Sequence, residues 1–178
     1  IIGLLLRKAG AFYMRRSFQG DALYREVFDE YLHQMFTRGY SVEYFIEGGR
    51  SRTGRTLPPR TGMLSMTVRS FMKNSSKPIA LLPVYLGYER VLESATYQSE
   101  LSGKHKRQES VFDVFRIFSV FKHDFGRVTV NFGQPLPLEQ FLDRALPTWT
   151  TDNRPEINTA CNQLAIELVT RINNHVAI

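Results

Sequence analysis

Cysteine is almost missing from these 178 residues: Cys161 stands alone. One thiol supplies neither an internal disulfide nor a Cys-rich zinc site, and its scarcity favours a reducing compartment. Long apolar runs are missing too. The opening run Ile1-Ile2-Gly3-Leu4-Leu5-Leu6, among the longest even with its glycine counted, is far short of the roughly 20 residues a membrane-spanning helix needs. That opening run lacks the basic front and small-residue cleavage site of a signal peptide, and with Ile rather than Met at position 1 it reads as a cut inside a longer protein. There is no internal repeat, and with 43% hydrophobic and 22% charged residues the chain is neither disordered nor fibrous. At this length about 70% of the unfolded surface can be buried, so a core forms without metal or disulfide support.

What the chain has in excess is positive charge. Lys plus Arg number 23 against 17 Asp plus Glu, a net charge of +6. Arg supplies most of it, and its planar fork suits phosphate and carboxylate oxygens better than the point charge of Lys. The composition therefore points to an anionic partner, with nucleic acid, anionic lipid and small phosphates all open.

Turn signals and changes of hydrophobic period divide the chain into alternating strands and helices, which predicts an α/β fold with a layered mixed sheet flanked by helices. Ala11 to Met14 reads as a short strand running into Arg15-Arg16. Asp21 caps a predicted helix whose apolar residues Leu23, Val27, Tyr31 and Met35, with Phe28, Leu32 and Phe36, recur every four positions until Gly39 ends it. Ser41 to Ile46 is β-branched and aromatic and reads as a central strand ending at Glu47-Gly48-Gly49. A polar loop over 47–60 carries Arg50, Arg52, Arg55 and Arg60 and precedes a helix from about Thr61 to Lys73. Ile79 to Tyr85 is a strand interrupted by Pro83, whose missing N–H predicts a sheet edge or a bulge. Further predicted elements are a Phe-rich helix over Glu109–Lys122, a strand over Val128–Phe132, a turn over 133–137 and a terminal helix over Ile157–Ile172. Residues 1–147 read as a partial α/β domain and 148–178 as the start of a helical region.

Arg15-Arg16, Glu47-Gly48-Gly49-Arg50 and Pro83 all fall at predicted strand ends, where ligands bind in open α/β sheets. Two glycines allow close backbone approach to an anion, and charge-assisted Arg hydrogen bonds each contribute about 1.5–3 kcal/mol. Glu47, at the junction of a buried strand and a loop, requires a cationic partner, and Arg50 or Arg15 is the natural one. Residues 49–56 differ from a nucleotide phosphate loop by having Arg55 where that motif needs Lys, and Leu57-Pro58-Pro59 follows instead of an immediate helix, so that reading is rejected. None of His33, His105, His123 and His175 makes a recognisable triad or metal set; His33 is spaced for a surface pair with Asp29, and His123 for a helix-end cap. Lys104-His105-Lys106-Arg107 ahead of Phe112, Phe115, Phe118 and Phe121 reads either as an anionic-membrane contact or as a solvated loop beside a core helix.

Gly10-Ala11-Phe12-Tyr13-Met14-Arg15-Arg16, Phe45-Ile46-Glu47-Gly48-Gly49-Arg50-Ser51-Arg52-Thr53-Gly54 and Leu81-Leu82-Pro83-Val84-Tyr85 resemble, in order and spacing, the second, third and fourth motifs of the glycerolipid acyltransferase family. The resemblance is strongest to the bacterial membrane-bound glycerol-3-phosphate 1-O-acyltransferases, and residues 38–44 and Val130-Asn131-Phe132-Gly133 extend it over nearly the whole chain. It implies acyl transfer from acyl-CoA or acyl carrier protein, as co-substrate, to the 1-hydroxyl of glycerol 3-phosphate, giving lysophosphatidic acid without a further cofactor. It also implies peripheral attachment to an anionic membrane surface on the cytoplasmic face of the bacterial inner membrane, and no nucleic-acid partner. The resemblance implies that Tyr13, Arg15, Arg16, Glu47, Gly48 and Arg50 line the glycerol phosphate site, with Glu47 and Gly48 as the catalytic residues of this chain and Pro83 shaping the pocket. The family's first motif, His-x4-Asp, provides the base for the acceptor hydroxyl. No His here has Asp five positions later, so that motif is expected upstream of Ile1 and the 178 residues alone are expected to be inactive. The rival readings are a basic RNA- or anionic-lipid-binding module and a related acyltransferase with another acceptor.

Overall fold

A computed structural model describes residues 2–15, 17–18, 20–49, 56–74, 76–89, 126–146 and 154–175. The described elements run α1 (Ile2–Lys8), α2 (Ala22–Thr37), α3 (Gly62–Lys73), β1 (Ala80–Leu81), β2 (Val84–Tyr88), β3 (Val128–Phe132), β4 (Leu136–Pro137), α4 (Leu138–Ala145) and α5 (Arg154–Asn173). The chain is mixed α/β, as its alternating pattern predicts, and it falls into two compact units, Ile1–Val42 and Glu43–Ile178.

In the first unit, α2 begins and ends where its sequence signals say. The Asp21 carboxylate accepts the Tyr24 N–H at 2.9 Å, satisfying one of the amides that a helix start leaves without a partner. At the other end the Gly39 N–H donates to Phe36 O and the Tyr40 N–H to Met35 O, the paired closure that a glycine just past a helix makes possible. Phe28 and Leu32 face inward, whereas Leu23, Val27 and Tyr31 are exposed. Ala11–Met14 is not a strand. The Ala11 N–H closes the end of α1 on Leu6 O, and the segment carries Phe12 into an aromatic cluster, its ring 6.1 Å from Phe28 and 5.7 Å from Tyr31. A single short run gains more from such contacts than from an unpaired ladder.

Asp21 also pairs with Arg15. Its carboxyl is held below the ordinary carboxylate value, chiefly by the Tyr24 N–H; desolvation opposes this, and the bond and charge of Arg15 add smaller lowering effects. A depressed native pKa stabilises the fold above the unfolded-state pKa, and that contribution disappears as pH falls through the native value. The Asp21 carboxyl carbon is therefore expected to titrate, by NMR, below a model aspartate. Asp21→Asn, which keeps a good cap, should remove this part of the acid sensitivity; a normal titration midpoint contradicts it.

Among its described residues the second unit is built on three helices. Leu64, Val68 and Phe71 of α3, Leu138, Phe141 and Leu142 of α4, and Ile157, Cys161, Leu164 and Leu168 of α5 form one buried cluster, with Leu136 and Leu146. Two antiparallel two-stranded sheets join it. β1 pairs with β4 through Ala80–Pro137 and Leu81–Leu136, and β2 pairs with β3 with Tyr85 opposite Asn131. Pro83 lies where the chain leaves one sheet for the other, which is the interruption its missing donor predicts. Ser41–Ile46, expected as a central strand, has no ladder among the described residues. Its side chains serve other contacts: the Tyr44 hydroxyl lies 3.5 Å from Thr67 Oγ1 of α3, and Ile46 packs on the core. α1 and α4 were not expected, although Leu138, Phe141, Leu142 and Ala145 have helical spacing; the preceding Gly and Pro residues obscured it. The Phe-rich helix expected over Glu109–Lys122 and the basic cluster at 104–107 lie outside the described residues.

Candidate functional site

Glu47, Gly48 and Gly49 form a tight turn at the start of the Arg-rich loop. The Gly48 N–H donates to Phe45 O at 3.0 Å, and Gly48 has φ of 59°, a left-handed conformation that costs a side-chain-bearing residue roughly 1–2 kcal/mol. The returning chain runs against this turn. The Arg60 N–H donates to Ile46 O at 2.8 Å, and a Cβ on Gly48 would stand 2.7 Å from Arg60 Cδ.

Glu47 has a bond that the sequence did not announce; Arg50, one of its two expected partners, lies outside the described residues. Glu47 Oε2 accepts the Leu57 N–H at 2.8 Å, so the carboxylate bridges the two ends of the loop through backbone. The residue after Leu57 is Pro58, which has no N–H to offer. Arg15 is engaged within its own unit: it pairs with Asp21, its guanidinium lies 4.5 Å from the centre of the Tyr24 ring, and its backbone N–H donates to the Tyr24 hydroxyl. Tyr13 is 53% exposed and lines an open cleft with Gly3, Leu4 and Arg7. Its ring lies under the Arg7 guanidinium at 5.5 Å. Arg16 and Arg50 lie outside the described residues, as do Arg52, Arg55, His105 and His123.

Pro83 is buried. Its carbonyl accepts the Gly133 N–H at 2.8 Å. A Cβ at Gly133 would stand 3.3 Å from Pro83 Cβ and 3.2 Å from His175 Cε1, so glycine permits this close three-way approach. The end of α5 and the turn after it supply the other contacts. Asn131 Nδ2 donates to His175 O at 2.7 Å, and Thr56 Oγ1 donates to Asn173 Oδ1 at 2.9 Å. The end of α5 and the turn after it thus touch both the residue beside Leu57, which Glu47 holds, and the Gly133–Pro83 junction. Asn131 belongs to a motif visible in the sequence, but nothing in the sequence marks Thr56, Asn173 or His175 as neighbours of these motifs.

His33 is half-buried on α2, and the His175 ring bonds to Arg171 O at 2.6 Å. Among the described residues no group of three or more His, Cys, Asp or Glu could hold a metal ion, and no helix is long and apolar enough to cross a membrane.

Residues 1–87 match the family model described as Acyltransferase, and residues 97–178 match that of the Glycerol-3-phosphate acyltransferase C-terminal region. With motifs, fold and family models in agreement, the chain belongs to the acyltransferase family. Within that family its relatives are glycerol-3-phosphate acyltransferases. It is 53% identical over its whole length to the glycerol-3-phosphate acyltransferase of Pseudomonas aeruginosa strain UCBPP-PA14 and 50% identical to that of Pseudomonas fluorescens strain SBW25, covering 22% of each. It is 58% identical over 84% of its length to that of Pseudomonas syringae pv. tomato, covering 18% of it. The chain therefore spans about a fifth of the length of the curated relatives it matches.

Proposed function

We propose that the protein to which these 178 residues belong acylates the 1-hydroxyl of sn-glycerol 3-phosphate from acyl-CoA or acyl carrier protein, giving lysophosphatidic acid for phospholipid synthesis. The hydroxyl oxygen attacks the thioester carbonyl. A C–O ester bond forms, the C–S bond breaks, and the hydroxyl proton passes through the family's histidine base to the departing thiol. By the motif resemblance this chain contributes acceptor binding, with Arg16 and Arg50 as the phosphate ligands and Tyr13, Arg15, Glu47, Gly48 and Pro83 as the other acceptor-site residues. The enzyme works peripherally at the cytoplasmic face of the inner membrane, with basic residues such as Lys104, Lys106 and Arg107 toward anionic headgroups.

The observation that carries this reading is the Glu47–Gly48 turn, closed by the Leu57 and Arg60 amides, within a segment that has glycerol-3-phosphate acyltransferases as relatives at 50–53% identity. Its test is formation of lysophosphatidic acid by the full-length protein, with competing acceptors present. Arg50→Ala should raise the KM for glycerol 3-phosphate about 10- to 150-fold, the equivalent of one charged hydrogen bond of about 1.5–3 kcal/mol. Preference for a different acceptor, or an unchanged KM, refutes the corresponding part.

A further inference from the structure

The end of α5 is far in sequence from every acyltransferase motif, yet the structure connects it to two of them. Thr56 Oγ1 reaches Asn173 Oδ1 across 117 positions of sequence. The next residue, Leu57, donates its N–H to Glu47. In the turn just past the last helical residue, His175 O receives Asn131 and the His175 ring lies against Gly133, which is bonded to Pro83. The turn itself is fixed by the His175 Nδ1 contact with Arg171 O and by the Asn174 N–H on Thr170 O. The end of α5 and the two residues after it thus contact both the exit of the Arg-rich loop and the Pro83 junction.

We propose that Asn173, acting through Thr56, is a positioning residue for the acceptor site: its hydrogen bond fixes the segment whose Leu57 amide orients Glu47. This inference rests on the proposed function. Neither Thr56 nor Asn173 touches the acceptor. Losing their bond frees the loop exit, and the site must then pay the ordering cost when substrate binds. The expected signature is a weaker acceptor affinity with the chemical step untouched.

The experiment uses the full-length enzyme with Thr56→Val, Thr56→Ser, Asn173→Leu, Asn173→Asp and the Thr56→Val/Asn173→Leu pair. Both exchanges that abolish the bond should raise the acceptor KM about 5-fold, the effect of one net hydrogen bond, with kcat and the acyl-donor KM unchanged. Ser and Asp keep a hydroxyl donor and an oxygen acceptor and should restore the wild-type KM. The double variant should be no worse than either single one, because both remove the same bond. Additive losses, equal effects of Val and Ser at position 56, or a fall in kcat that follows the temperature of thermal inactivation would overturn the proposal. Wild-type acceptor preference is measured alongside. If another phosphorylated acceptor is preferred, the functional reading fails, and the same KM comparison on that acceptor still decides the role of Asn173.

Discussion

Gly48→Val is expected to abolish most acceptor use by the full-length enzyme, while Gly49→Ala is expected to leave it nearly intact. The two glycines are adjacent, but their surroundings differ. Gly48 has φ of 59°, where a β-branched side chain is a severe outlier, and its added Cβ would meet Arg60 Cδ at 2.7 Å. Arg60 is exposed, and the end of its side chain can move aside, so the backbone conformation carries most of the cost. To escape it, the turn must open, breaking the Gly48–Phe45 bond and shifting Glu47 from Leu57. A Cβ at Gly49 meets nothing within 4 Å. At least a 10-fold fall in kcat/KM for glycerol 3-phosphate is expected for Gly48→Val, the equivalent of somewhat more than 1 kcal/mol. Gly48→Asn should fall between the two variants, because Asn tolerates the left-handed region best among residues with a side chain. If Gly48→Val and Gly49→Ala behave alike, the turn conformation is irrelevant to the site.

Leu164→Ala should destabilise the second unit by about 2–5 kcal/mol, whereas Ile166→Ala, two residues along the same helix, should change stability by no more than about 0.5 kcal/mol. Leu164 is 0% exposed and Ile166 61%. The Leu164 side chain lies in the cluster that α3, α4 and α5 share. Truncating it loses the transfer free energy of the removed carbons and leaves a cavity that three packed helices cannot readily close. In the full-length protein the effect should appear as a lower temperature of thermal inactivation and faster proteolytic cleavage within residues 43–178, both absent in Ile166→Ala. Equal behaviour of the two variants would mean that α5 is not a core helix.

The contrast between these neighbours also shows what the sequence could disclose. The periodicity of Leu164, Leu168 and Ile172 marked α5 as amphipathic, Asp21 and Gly39 bounded α2, and Thr61 to Lys73 marked α3. Each signal is local, arising from a cap, a stop or a repeat of four. The strands were harder, because a strand depends on a partner elsewhere in the chain. Ser41–Ile46 has strand-forming side chains but no described ladder, while Val84–Tyr88 gains its ladder from Val128–Phe132, some forty residues away. The motif residues Glu47, Gly48 and Pro83 were visible by composition and by resemblance. The Leu57 amide that Glu47 bonds was not, since any residue but proline offers the same N–H. Asn173 was equally silent, because an asparagine at a helix end is ordinary in sequence and acquires meaning only from what the fold brings to it.

Cys161, 1% exposed in the α3–α4–α5 core, has its pKa raised by burial, with the bond from Ser65 opposing. Alkylating reagents consume thiolate, so this sulfur waits for the helices to part before it reacts. Because the 178 residues contain no second cysteine, every modification in this segment records one such parting. The segment therefore contains its own stopwatch: the rate at which Cys161 is capped, relative to that of an unfolded peptide, counts how often the core breathes.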